Sequence, residues 1–541
     1  MENLKGIKIS KSIILENSYF QKLFLIIFLI LVFWHGLWSG APRSDHIYFL
    51  HQIGEYSNFF DIIINSPFWN RTHSAPGDQV LFRPLLYIQL GIFYYFFDYN
   101  FFLWQLANLI IHIFVVLVLH SIFLQTTLKK TSYPFFLSLL FGVYYQGSTL
   151  VLWNHLSGYI SFCLLALLSV YFFIKFSNTK EKKYLLFSLG ASFLCQFFYE
   201  LGCVLNFIYA IYFFNSFLKY HNNKKINLSY TGLFIISGLA YFIFSILHLI
   251  SLENLVFIEN NSVSESTGFL RVIKNILYYF FTSLFYSLGH ILFWLGGLML
   301  PAMYSIVPGP RSTLDAFIIY NDFLLYLNYF FCFLIFYTLK YLKFDYKKLL
   351  SQIFLPLLFL LFYTLVIYFG RSLPRGLETN NFNLYYGYIA VLSIFTVVAF
   401  SARINEEDYF IIKKQMFNFD FFKITKFAMI ILILFNSYKV FHLTIDYRFN
   451  YAFHKQISID IVKRWMKIYG DKKNTFFLIS SDCKGNYKLT HNSSTHLHYR
   501  RNTNWKPPAN YLDILWPEKS AILNRKYILD NKLPVIKISC K

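Results

Sequence analysis

The chain has 541 residues, of which 56% are hydrophobic, 22% aromatic and only 14% charged, with a formal net charge of +22. Soluble domains carry about 25% charged residues and disordered chains lack this apolar content, so both classes are excluded. Six cysteines in this length exclude a disulfide-stapled scaffold as well. What remains is a polytopic membrane protein.

The first apolar run, about 22–39, follows Lys5, Lys8, Lys11 and Lys22. It exceeds a signal-peptide core and many more runs follow it, so it reads as an uncleaved anchor. Further runs lie near 101–124, 133–150, 157–175, 184–200, 201–218, 231–251, 322–340, 350–369, 384–401 and 425–441. With roughly 20 apolar residues needed per crossing, these predict about eleven spans. Two other apolar stretches, 82–97 and 272–300, are short or broken by Gly and Pro. They read as interfacial or re-entrant helices in outer loops.

The positive-inside rule supports that division. The basic clusters Lys5/Lys8/Lys11, Lys129/Lys130, Lys180/Lys182/Lys183, Lys219/Lys224/Lys225, Lys340/Lys343/Lys347/Lys348 and Arg403/Lys413/Lys414/Lys423/Lys426 fall on one side only if neither stretch crosses. The N-terminus is then cytoplasmic, and the large outer loops are about 40–100 and 252–321, with a smaller one near 370–383.

The apolar runs stop within 442–541, which carries half of the chain's net positive charge. Helical spacing over 453–469, a strand-like TFFLISS and a terminal PVIKIS predict a small extracytoplasmic α/β domain. Cys483 and Cys540 both fall in it, either paired or as two free thiols. The expected fold class is therefore an all-α polytopic membrane protein, with residues 1–441 as the transmembrane domain and 442–541 as a small C-terminal α/β domain.

No Gly-rich phosphate loop, CxxC pair or HExxH motif is present, so nucleotide- and zinc-dependent mechanisms have no support. No metal or other cofactor and no nucleic-acid partner is expected. Ionisable groups at the apolar boundary cost a few kcal/mol each and require a reason. Asp45, flanked by Arg43 and His46 just past the first span, reads either as a general base or as a helix N-cap. Arg83, in LFRPLLY, reads either as a phosphate clamp or as a snorkelling anchor. Glu200, in QFFYELGCV, lies where the apolar stretch 184–218 must turn; it is either held by a partner or ligand, or simply marks the turn. The segment SLPRGLETNNFNLYYGY, with Arg371 just before it and Arg375 and Glu378 within it, suits an anionic head group or forms a solvated loop. Taken together, these groups put carboxylates and arginines on one membrane face. That is the combination needed to deprotonate an acceptor hydroxyl and to hold a lipid-anchored phosphate.

The order of these features resembles the GT-C superfamily of membrane glycosyltransferases, and in particular the protein O-mannosyltransferases and related polyprenyl-phosphate-sugar transferases. The similarity runs over roughly 20–400. It lies in SDHIYF with Asp45, in FRPLLYIQLGIFYYFFDYNFFLWQLANLIIH with Arg83, Asn108 and His112, in VLWNHLSGYIS with Asn154 and His155, in YELG with Glu200, and loosely in LETNNFNLYYGY. Tyr199 stands where those families have a Lys before the acid, and His46 where they have a second acid.

The resemblance implies a helical transferase moving a sugar from a polyprenyl-phosphate-linked donor to a lipid, glycan or protein acceptor on the extracytoplasmic face. Inversion would follow from in-line attack with Asp45 as base. Arg83, Arg371 and Arg375 would meet the donor phosphate, and His46, Asn154, His155 and Glu200 would orient substrate. Membrane lipids complete the partners. The high usage of Lys, Asn, Ile and Phe points to a bacterial inner membrane. The rivals are a surface-polysaccharide polymerase or ligase, a lipid or solute transporter, and a membrane scaffold with a partner-binding basic tail.

Overall fold

The computed structural model describes residues 18–38, 58–65, 82–97, 100–125, 132–219 and 224–251. It also describes scattered helical positions between 358 and 396 and between 427 and 448, and two strands at 476–479 and 535–538. In chain order the helices are α1 (Ser18–Leu37), α2 (Phe59–Asn65), α3 (Pro84–Phe97), α4 (Phe101–Phe123), α5 (Tyr133–Gly142), α6 (Tyr145–Leu152), a 3-10 turn (Asn154–Leu156), α7 (Ser157–Thr179), α8 (Lys182–Cys195), α9 (Leu201–Lys219) and α10 (Lys224–Ser251). Among the described residues, five stretches are long and apolar enough to cross a membrane: α1, α4, α7, Leu201–Leu218 in α9 and Lys225–Leu247 in α10. The chain is thus a helical protein built for a bilayer.

Local chemistry sets several helix ends. Pro84 opens α3, where its missing N–H is not needed. The Asn100 side chain accepts from the Leu103 N–H at the start of α4. Lys180 takes a left-handed conformation (φ 60°) and returns its N–H to the Phe176 carbonyl at 2.8 Å, stopping α7. The stretch 82–97, expected as a non-crossing helix, is the 14-residue α3, about 21 Å long against a hydrocarbon core of about 30 Å.

The expected single span 133–150 is instead two short helices, α5 and α6, interrupted at Val143–Tyr144. The reason lies on α4. His112 Nε2 donates to the Gly142 carbonyl at 2.9 Å, Gln105 Nε2 to the Leu152 carbonyl at 2.7 Å, and Asn108 Nδ2 to the Val151 and Trp153 carbonyls at 3.2 Å each. These side chains satisfy carbonyls that the broken helices leave without intrahelical donors. The expected span 184–200 is likewise shortened. Helix α8 ends at Cys195, and a turn over 196–200 leads into α9 at Leu201. That turn is where the sequence required one.

Helix α4 sits centrally, packing on α1, α5 and α7, while α7 packs on α8 and α9 on α10. The main core gathers Leu25, Leu29 and Phe33 of α1, Val116 and Leu119 of α4, Ile160 and Phe162 of α7, and Tyr209 and Phe213 of α9. Apolar helices gain little from burial when lipid is the alternative, so close packing and interhelical hydrogen bonds carry the association. Ser169 and Ser188 exchange hydroxyl-to-carbonyl bonds at 2.9 and 3.0 Å, and the Ser169 oxygen accepts from the Tyr209 hydroxyl at 3.1 Å. Ser192 donates to Asn206 Oδ1 at 2.7 Å, and Gln196 reaches the Ser237 carbonyl at 3.0 Å. In membranes such bonds contribute about 0.6 kcal/mol on average, enough together to fix register. Helix α10 exposes Ile236, Ile243, Ile246 and Leu247, an apolar face.

Near the C-terminus, β1 (Phe476–Ile479) pairs in parallel with β2 (Val535–Ile538), with Phe476 opposite Val535. Both lie in the segments expected to be strands. The helix expected over 453–469, both Cys483 and Cys540, and the expected spans 322–340, 350–369 and 384–401, apart from scattered helical positions, lie outside the described residues.

Candidate functional site

Helix α7 runs from the 3-10 turn to Lys180, so Tyr159 and the basic Lys180–Lys183 turn are separated by about 30 Å of helix. At the Tyr159 end of the bundle, three segments meet: the start of α3, the first turn of α7, and the 196–200 turn. Gly158 makes the meeting possible. A Cβ there would lie 2.6 Å from Leu86 Cγ, so α3 rests directly on the α7 backbone. The Leu85 N–H bonds the Phe197 carbonyl at 3.2 Å, which ties α3 to the turn before Glu200. Gly202 is equally constrained, since a Cβ there would collide with the backbone of Gln196.

These contacts bring Arg83 and Glu200 together across 117 residues of sequence. Arg83 Nε donates to Glu200 Oε2 at 2.8 Å and Nη2 to Oε1 at 2.7 Å, a two-pronged pair. Arg83 Nη1 donates to the Tyr159 hydroxyl at 2.7 Å. The guanidinium also lies 4.6 Å from the Tyr199 ring centroid and 5.5 Å from that of Tyr159. The Arg83 side chain is 9% exposed and that of Glu200 20%. Burial opposes the Arg83 charge, but the Glu200 carboxylate, helped by the two tyrosines, outweighs it and holds the Arg83 pKa well above its ordinary value. Arg83 is therefore not a snorkelling anchor with its head group in water, and Glu200 does more than mark a turn.

Asn154 falls in the 3-10 turn preceding α7 and is 1% exposed. Its Oδ1 has no hydrogen-bond partner among the described residues, and the same holds for Asn108 Oδ1 and Ser157 Oγ. His155 belongs to the same turn, and its side chain lies outside the described residues. Asp45, His46, Arg371 and Arg375 also lie outside them. The structure thus joins two of the expected site residues, Arg83 and Glu200, and places Asn154 just before the helix that bears Tyr159.

Tyr159 and Tyr199 are the cluster members that sequence reasoning passed over as partners. In a chain with 43 tyrosines neither stands out. The available signal was their position, immediately after the small Ser157–Gly158 pair and immediately before Glu200. Below this cluster, His112 is held by the Gly142 carbonyl on one nitrogen and by the Tyr388 hydroxyl at 2.7 Å on the other. A carbonyl only accepts, so Nε2 carries the proton and Nδ1 accepts from Tyr388. This bond docks the segment that follows the Arg375 loop onto α4.

Among the described residues no group of three His, Cys, Asp or Glu side chains is arranged to hold a metal ion. No protein-family model matches the chain, and no curated protein matches it either.

Proposed function

We propose that the protein is an integral membrane glycosyltransferase that moves a sugar from a polyprenyl-phosphate-linked donor to an acceptor hydroxyl on the extracytoplasmic face, with inversion. The observation that carries the reading is the buried Arg83–Glu200 pair with its two tyrosines, built at the end of the bundle where the first outer loop meets the helices. An ion pair at an apolar boundary is costly unless it serves a site. A neutral structural contact there would hold α3 at lower cost.

In this mechanism the isoprenoid tail lies among the Phe- and Tyr-rich helices. The donor phosphate is met by Arg371 and Arg375 near the fixed Arg83. Asp45 accepts the proton of the acceptor hydroxyl, whose oxygen attacks the anomeric carbon as the bond to the phosphate oxygen breaks. Asn154, with His46 and His155, orients the sugar. Eleven spans, a cytoplasmic N-terminus, an extracytoplasmic α/β domain at 442–541 and a bacterial inner membrane complete the reading.

The test is Asp45→Asn in membranes supplied with radiolabelled polyprenyl-phosphate hexoses. The variant inserts and binds donor but loses transfer; transfer at the parental rate removes Asp45 as the base.

A further inference from the structure

We infer that Glu200 and the Tyr159 hydroxyl form a binding pair for the hydroxyl groups of the donor sugar, with Arg83 as their positioning residue and not as the phosphate clamp. The inference rests on the transferase reading and deepens it.

Charge is the first argument. Of the two edges with which Arg83 could grip a phosphate, Nε with Nη2 is taken by Glu200 at 2.8 and 2.7 Å, and Nη1 on the other already donates to Tyr159. The pair is close to neutral as a unit. A phosphate approaching it meets a carboxylate beside the guanidinium, so the site attracts an anion far less than an isolated arginine would.

Directionality is the second argument. Tyr159 accepts from Arg83 Nη1, which turns its own O–H hydrogen away from the guanidinium. Among the described residues Arg83 is the hydrogen-bond partner of that oxygen. Each Glu200 oxygen accepts one bond from Arg83 and keeps a second lone pair. Of the two charged side chains Glu200 is the more open, 20% against 9%. One fixed donor and two fixed acceptors around one guanidinium suit a neutral polyol, in which every hydroxyl both donates and accepts.

Rigidity favours the same assignment. The tyrosine rings pack on the guanidinium and on each other, 5.0 Å apart at their centroids, and Leu85 is tied to Phe197. The groups are therefore held in place before a ligand arrives, which lowers the cost of binding.

The test titrates the detergent-purified full chain with undecaprenyl phosphate and, separately, with undecaprenyl-phosphate glucose and mannose, reading affinity by native mass spectrometry. Tyr159→Phe keeps the ring and removes one hydroxyl. It weakens binding of at least one sugar-bearing lipid about threefold to tenfold, the worth of one hydrogen bond, and leaves the bare lipid within about twofold. Glu200→Gln gives a second readout that a merely structural role would not produce: it tightens the bare lipid phosphate, because the Arg83 edge is released, while weakening the sugar-bearing lipid. If Tyr159→Phe changes neither class, or both variants weaken the two classes equally, the hydroxyl pair is overturned while the lipid-phosphate reading stands. If the parental protein binds neither class, both the pair and the transferase reading are overturned.

Discussion

Removing one partner of the Arg83–Glu200 pair tests the energetics on which the site depends. Glu200→Gln keeps the shape of the side chain but leaves a guanidinium that is 9% exposed without its counter-charge. Breaking a buried pair from one side costs about 3–5 kcal/mol. Glu200 retains a fifth of its exposure, so water partly compensates and the lower end, about 3 kcal/mol, is expected. Arg83→Met removes the charge together with its bond to Tyr159, and costs a similar amount. The double variant leaves no unpaired charge, so its cost falls below the sum of the singles by about 2–3 kcal/mol. The assay is reversible unfolding in mixed micelles by SDS titration, followed by far-ultraviolet circular dichroism. Additivity within about 0.5 kcal/mol would mean that the two groups behave as a screened surface pair, and the argument from burial would be refuted.

The close approach of α3 and α7 makes a second expectation. Gly158→Ala forces Leu86 aside and costs about 1–3 kcal/mol in the same SDS titration, and a smaller residue at Leu86 relieves part of it. Tyr388→Phe leaves His112 Nδ1 without its donor, for a loss of about 1–3 kcal/mol in the same assay. Gln105→Leu strands the Leu152 carbonyl at a similar cost of about 1–3 kcal/mol; amide exchange in α6 and the 3-10 turn rises as the readout. For topology, cysteines introduced as Asn58→Cys and Lys182→Cys in sealed vesicles react with a charged maleimide from opposite faces. Labelling from the same face would reject the proposed arrangement of the helices.

Much of the bundle could be read from hydrophobic length alone. Helices α1, α4, α7 and α9 fall close to their expected runs, because an apolar stretch of about 20 residues has few other uses. The breaks could not be read in this way. Residues 133–150 look continuous by hydropathy, but the carbonyls at the ends of α5 and α6 are met by His112, Asn108 and Gln105, 30 to 47 residues earlier in the sequence. The sequence names those polar residues but does not show which carbonyls they face. Arg83 and Glu200 were each visible as charges in the wrong solvent. Their pairing was not, because it is set by Gly158 and by the 196–200 turn. Tyr159 and Tyr199 were hidden by the abundance of their own residue type.

The polar side chains along α4 have a mechanical consequence. They stand in for water at a gap inside an oily medium, so α4 cannot slide or rotate by even one residue without stripping several carbonyls at once. Helix α4 and the interrupted α5–α6 segment must then travel as a single block. Among the described residues, any rearrangement of the bundle has to come from elements outside that block.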